Sequence, residues 1–324
     1  MDSPAIHIEG VRKQFRETVA VRSLDLEIPR GSLCGFLGPN GAGKSTTIRM
    51  IMSIIHPDAG RITVLGGSAL DAKDRIGYLP EERGVYRKMR VGEFLRFVGR
   101  LKGLDRHDAD QRASAWLTRL ELPQVLGQRC EELSKGMQQK VQFVAAVIHS
   151  PELLILDEPF SGLDPVNARL MAGVVREISA SGATILFSTH QMSQAEQLCD
   201  RIVLIAKGEK ILDATRDEIT TRFDPRTIVL EQLPGAPRAG TIDDFTRAIG
   251  AIEGVEAIAW DPPRRYASLT VRHGADTQHI MSQAMQITPL RSIELSRVTL
   301  DDVFVQLVGG PRPSDGVEGG EGGD

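Results

Sequence analysis

The stretch GPNGAGKST, residues 38–46, decides the fold. It fits G-x-x-x-x-G-K-[ST], follows the apolar run LCGFL and precedes the helical pattern TTIRMIMSII. A phosphate-cradling loop needs that strand-before, helix-after context. Gly38, Gly41 and Gly43 let the backbone turn tightly and bring N–H groups up to phosphate oxygens, while Pro39, Asn40 and Ala42 complete the loop. Lys44 supplies a cation for the outer phosphates, Ser45 offers a hydroxyl to Mg²⁺, and Thr46 continues into a helix whose positive end faces the anion. A Gly-rich turn with a chance Lys-Ser is the bland alternative, and the flanking strand and helix patterns count against it.

Such a loop needs an acidic partner at the end of another apolar strand. LLILDEP supplies one: Asp157 is placed to hold Mg²⁺, and Glu158 to polarise an attacking water as general base. Alone, Asp-Glu-Pro would read as a turn closing a strand; with the cradle upstream, the chemical role is favoured.

Around these two motifs, strand-like runs alternate with amphipathic stretches to about residue 223. They include LCGFL, RITVL, IGYLP, ELLILD, TILFST and RIVLIA. The alternation predicts an α/β fold with a largely parallel sheet. From about 88 to 150 the pattern is nearly all helical, a compact insert in that core. After 223 the texture changes to strand, helix, strand, strand, helix, strand, the order of a small ferredoxin-like α+β domain over 224–309. There TIDDFTRAIGAI puts Ile242, Phe245, Ile249 and Ile252 on one helical face, and YASLTVRH alternates with Ala267, Leu269 and Val271 on one side. A last helix, capped by Thr299, carries Leu300, Val303, Phe304, Leu307 and Val308. The Gly- and acid-rich stretch 310–324 is expected to be disordered.

Bulk properties narrow the function. At 324 residues the chain accommodates one large and one small domain, and 41% hydrophobic with 25% charged residues is an ordinary globular composition. A net charge of −4 and pI near 6.0 argue against broad nucleic-acid binding. Cys34, Cys130 and Cys199 are far apart and odd in number, so no metal spacing exists and reduced cytosolic thiols are expected. The N-terminus, MDSPAIHIEG, has no cationic flank or apolar core and is not expected to be a signal peptide. Apolar runs such as LLIL are too short to span a bilayer, so any membrane role is expected to run through a partner.

The stretch LSKGMQQKVQFVAAVI, residues 133–148, narrows the class further. Here the chain resembles the ATP-binding cassette family, whose signature LSGGQ appears as LSKGM followed by Gln138 and Gln139. Ser134 and Gly136 open a helix there, giving a positive helix end suited to a γ-phosphate. Further elements follow in the family's order. Phe15 stands at the place of the adenine-stacking aromatic, with a core Phe as the alternative. Glu81 occupies the position where the family generally has a Gln linking Mg²⁺ to the membrane partner. SGLDP, residues 161–165, resembles the loop that communicates across the dimer, and His190 resembles the switch histidine at the γ-phosphate.

The resemblance covers about the first two-thirds of the chain and implies a P-loop NTPase cassette, with a parallel sheet core, an antiparallel β subdomain and a helical insert, and ATP and Mg²⁺ as ligands. It also implies a head-to-tail dimer in which Ser134, Gly136 and Gln138 of one copy complete the nucleotide site of another. One cradle and one signature call for a second copy, and the lack of spans calls for a separate integral membrane permease, contacted around residues 80–91. The chain is then expected at the cytoplasmic face of the plasma membrane. LSKGM, GYLPEERG and the extra C-terminal domain look like the bacterial exporter branch, of the sodium- and antibiotic-exporter kind. The alternative is a cassette ATPase acting on ribosomes or nucleic acid. Against it stand the single cassette, the short insert and the acidic balance, so no nucleic-acid partner is expected.

Overall fold

The computed structural model describes residues 3–82, 84–223, 226–233, 242–261, 266–272, 274–296 and 298–309. The expected disordered stretch 310–324, the PPRR turn at 262–265 and His273 lie outside these residues. The chain divides into two compact units; Asp217–Val303 forms one, and the remainder of the described chain the other.

The larger unit is built on a six-stranded sheet of β3 (Leu33–Leu37), β5 (Ile76–Leu79), β6 (Leu153–Asp157), β7 (Thr184–Thr189), β8 (Arg201–Ala206) and β9 (Glu209–Thr215), in the order β5-β6-β7-β3-β8-β9. All neighbours pair in parallel except β8 and β9. Every residue of β3, β6 and β7 is buried, as expected of central strands covered on both faces. By contrast β9 shows alternating burial, fitting an antiparallel edge. A second, antiparallel sheet pairs β1 (Ile6–Phe15) with β2 (Thr18–Ile28) and β4 (Ala59–Val64). One core runs beneath both sheets, from Ile6, Leu24 and Ile28 to Phe36, Ile155 and Leu186.

The register fixes where chemistry can happen. Leu37 pairs with Thr189 and Leu204, Asp157 with Ser188, and Leu79 with Leu156. The loops leaving β3, β5, β6 and β7 therefore emerge at one edge, the carboxyl edge where open α/β sheets bind ligands.

Helix α1 (Lys44–Ile51) leaves that edge directly. The stretch between β5 and β6 holds α2 (Val91–Leu101), α3 (Arg106–Arg119) and α4 (Lys135–Val147). Their starts are specified locally. Asp105 Oδ1 accepts from Asp108 N–H at 2.8 Å, and Ser134 Oγ accepts from Met137 N–H at 3.3 Å. Helix α5 (Pro165–Ala180) has Pro at its first position and Asp164 as cap. Helix α6 (Met192–Leu198) lies between β7 and β8.

The smaller unit contains most of α7 (Arg216–Arg222), then β10 (Thr227–Gln232), α8 (Ile242–Gly250), β11 (Val255–Asp261), β12 (Tyr266–Val271), α9 (Thr277–Ile287) and β13 (Leu290–Leu295). Its strands form one antiparallel sheet in the order β11-β12-β10-β13. Ile228, Leu230, Ala267, Leu269 and Val271 turn to its core, with Phe245, Ile249 and Ile252. The Phe245 and Trp260 rings meet edge to face, centroids 5.3 Å apart. In α10 (Leu300–Gly309) the Asp302 N–H donates to Thr299 Oγ1 at 3.2 Å, the cap its sequence calls for. Leu300 and Val303 are buried there, Phe304 and Leu307 half-buried, and Val308 exposed.

All three cysteines are unpaired and buried, and burial pushes the Cys34 thiol up to about 12, so it is an inert core side chain. Among the described residues, no helix is long and apolar enough to cross a membrane.

Candidate functional site

The loop between β3 and α1 has the backbone its glycines permit. Gly38, Gly41 and Gly43 have φ of 155°, 78° and 106°. A Cβ on Gly38 would stand 2.1 Å from the Ile205 carbonyl oxygen, and one on Gly43 would stand 2.5 Å from that of Ala20. Only glycine fits either place. Pro39, Asn40 and Gly41 are exposed at the rim, Ala42 is buried, and Ser45 and Thr46 are half-buried in the first turn of α1. Lys44 is buried and folds back over the loop, donating to the carbonyls of Gly38 at 2.7 Å and Pro39 at 3.1 Å. Burial draws its ammonium below the ordinary lysine value, while the charges of Glu158, Asp157 and Glu81 pull it back up.

Those three acids come from neighbouring strand ends. Asp157 is 2% exposed, and its Oδ1 is buried with no hydrogen-bond partner. Burial pushes its carboxyl above the ordinary value; the Ser188 hydroxyl opposes this, the Glu81 and Glu158 charges add to it, and the Ser45 hydroxyl opposes it again. Glu81 is exposed just beyond β5. Glu158 is buried and held from three sides. Its Oε1 accepts from the His190 N–H at 2.8 Å and from His190 Nδ1 at 2.6 Å, and its Oε2 accepts from Thr189 Oγ1 at 3.1 Å. A carboxylate at Nδ1 calls for a proton on Nδ1, so Nε2 of the exposed His190 is an acceptor in the neutral ring and donates to a ligand oxygen only in the imidazolium form.

The remaining expected residues lie elsewhere on the same unit. Phe15 ends β1 and is 47% exposed, with the Lys13 ammonium 5.3 Å from its ring centroid, so it is not a core side chain. Ser134, Lys135 and Gly136 line a cavity of about 480 Å³ together with Gly162, Asp164 and Asn167. The signature stretch and the SGLDP loop thus share one cleft. Gln138 donates to the carbonyls of Cys130 at 3.0 Å and Leu133 at 3.2 Å, so its amide nitrogen pins the turn ahead of α4. Among the described residues, no hydrogen bond joins Ser134, Gly136 or Gln138 to the loop 38–46.

Sequence reasoning overlooked Thr189 and Ser188. Both belong to the TILFST run next to His190, and strand alternation beside a chemical residue was the available signal.

A family model described as ABC transporter matches residues 21–161. The uncharacterized ABC transporter ATP-binding protein YhaQ of Bacillus subtilis (strain 168) is 38% identical over 303 residues, 93% of this chain and 98% of the relative. The chain belongs to the ATP-binding proteins of ABC transporters. The daunorubicin resistance ATP-binding protein DrrA3 of Streptomyces coeruleorubidus is 32% identical, covering 96% of this chain and 98% of that protein. A solved structure described as the ATP binding subunit of an ABC transporter aligns with a TM-score of 0.63 and 31% identity, over 68% of this chain and 93% of the other. Members of this family bind and hydrolyse ATP, dimerise, and work with a membrane permease.

Proposed function

We propose that this chain hydrolyses ATP as one half of a head-to-tail dimer and thereby drives export through a permease made as a separate chain. The observation that carries it is the convergence at the sheet's carboxyl edge. The charges of Asp157 and Glu158 act on Lys44, and His190 is bonded to Glu158.

The triphosphate takes the backbone amides of 38–46, and Lys44 exchanges its two carbonyl partners for phosphate oxygens. The orphaned Asp157 Oδ1 beside Ser45 fits Mg²⁺, with exposed Glu81 as a further carboxylate near it. Among the described residues no three acidic, His or Cys groups converge to hold an ion, so most of its ligands come from phosphate and water. An ion held there would supply positive charge to the phosphates. Glu158 accepts the proton of the attacking water, and the His190 ring, when it carries a proton on Nε2 as imidazolium, donates from there to the γ-phosphate. Phe15 stacks on the base. Ser134 and Gly136 meet the nucleotide held by the partner, so binding closes the dimer and hydrolysis reopens it.

Export is supported by relatives named for drug resistance and by one named for Nod factor export, not by residues that choose a substrate. The permease contact is assigned to 80–91 and the chain to the cytoplasmic membrane face. Residues 1–223 serve as the nucleotide-binding domain. Residues 224–309 serve as a ferredoxin-like accessory domain supporting regulation or dimerisation, a reading consistent with the β11-β12-β10-β13 order.

The test is co-expression with a multi-span protein encoded beside it, followed by ATPase and transport assays in vesicles. Copurification with ATP-dependent efflux is expected; association with ribosomes or nucleic acid, and no membrane partner, would refute export.

A further inference from the structure

Helix α4 buries polar side chains one after another. Gln139, Lys140 and Gln142 are 3%, 4% and 6% exposed. Gln139 Nε2 donates to the Pro159 carbonyl at 3.0 Å, in a buried bond. Pro159 directly follows Glu158, whose φ of 49° is a left-handed conformation that a residue with a Cβ keeps only when its surroundings hold it. On one side the Glu158 N–H is tied to the Ser188 carbonyl of β7 at 2.9 Å, and the Ser161 N–H closes the turn onto the Glu158 carbonyl at 3.1 Å. On the other side stands Gln139. The first turn of α4 touches the same loop, since a Cβ on Gly136 would lie 3.3 Å from Leu163 Cδ2.

We propose that Gln139 is a positioning residue for Glu158, holding the general base through the Pro159 carbonyl and so tying it to the helix that Ser134 caps. The link to ATP hydrolysis needs only the ATPase function. Its further consequence rests on the dimer proposed above: the helix that meets the partner's nucleotide also sets the geometry of this protomer's own base. A shift of α4 toward nucleotide at Ser134 would then pull the Glu158 turn, coupling the two sites of the dimer through a bond inside each protomer. Gln142 offers an internal control. It lies one turn further along α4 and is also buried, yet among the described residues its Oε1 has no partner and no hydrogen bond ties it to this turn.

The experiment compares steady-state ATPase of the full chain with Gln139→Met, which keeps length and apolar bulk but deletes the donor, and with Gln142→Met. Gln139→Met is expected to lower kcat by about 10- to 100-fold, the scale of a misplaced catalytic group. KM for ATP, and ATP-driven dimerisation in a Glu158→Gln background, should stay at parent values. Gln142→Met should keep the wild-type kcat. An unchanged kcat in Gln139→Met overturns the proposal, as does a raised KM with kcat intact. An equal fall in Gln142→Met overturns it too, because the effect would then be one of helix packing. If wild type hydrolyses ATP as a monomer, the dimer is refuted while the kcat loss still stands. A wild type inert toward ATP sinks both.

Discussion

Glu158 Oε1 accepts two hydrogen bonds from His190, one from its backbone N–H at 2.8 Å and one from its ring at 2.6 Å. The two residues directly follow β6 and β7, strands that pair in register, so the parallel sheet itself aligns base and histidine. Long-range chemistry is thereby set by a local property, the continuous burial of LLILD and TILFST.

Glu158→Gln keeps the shape and one acceptor oxygen, which can stay on the two His190 donors while the amide nitrogen turns to Thr189 Oγ1, but it cannot take a proton from water. The expected outcome is a kcat lowered by at least about 100-fold, with ATP affinity within about twofold of wild type. Phosphate-release kinetics and equilibrium nucleotide binding check it; normal turnover would remove Glu158 from the general-base role.

Lys44→Ala behaves oppositely. Its ammonium is buried and, among the described residues, donates to two carbonyls, so a triphosphate is the stronger partner waiting for it. ATP affinity should fall by about tenfold or more, as expected for losing one charge-assisted contact of about 1.5–3 kcal/mol. Titration with a fluorescent ATP analogue reads this directly, and unchanged affinity would contradict the cradle assignment.

The glycines of the loop separate strain from crowding. At Gly41 nothing lies within 4 Å of an added Cβ, so Gly41→Ala meets only the cost of φ 78°, roughly 1–2 kcal/mol. Gly38→Ala places a methyl 2.1 Å from a backbone carbonyl and forces β3 and the strand end at Ile205 apart. Denaturant unfolding should show a modest loss for the first and a loss of more than about 3 kcal/mol, or no folding, for the second.

What the sequence made legible was what is contiguous. The cradle, the acid strand and the signature each lie within a few residues, and the chemistry of each is carried by its own spacing. The long strands Ile6–Phe15 and Thr18–Ile28 are not among the runs read from the sequence; in the first, register shifts between Ile8 and Gln14 interrupt the alternation that would mark it. The hold of Gln139 on Pro159 joins residues 20 apart in sequence and leaves no local pattern, since a buried amide in a helix looks like any other Gln. The smaller unit begins at Asp217, ahead of the change of sequence texture after residue 223. Helix α7 follows β9 with no Gly or Pro between them, so punctuation in the sequence comes later than the division in space.

Asp157→Asn should separate stability from activity. Burial raises the Asp157 carboxyl above its unfolded value, so the folded state prefers the protonated form and the ionised form opposes folding at neutral pH. The neutral isostere removes that opposition. The nucleotide-free variant is therefore expected to melt higher than wild type at pH 7, by about 2–4 °C for each kcal/mol relieved. As pH falls through the raised folded value, wild-type Asp157 protonates and the two melting curves should converge. Activity moves the other way, because Asn lacks the charge that Asp157 offers beside Ser45, and the Mg²⁺ concentration needed for half-maximal ATPase should rise at least about tenfold. Melting scans across acid and neutral pH, paired with Mg²⁺ titrations, check both halves. A variant that melts lower than wild type at neutral pH would show that the carboxylate is compensated in the fold rather than held there for a cation.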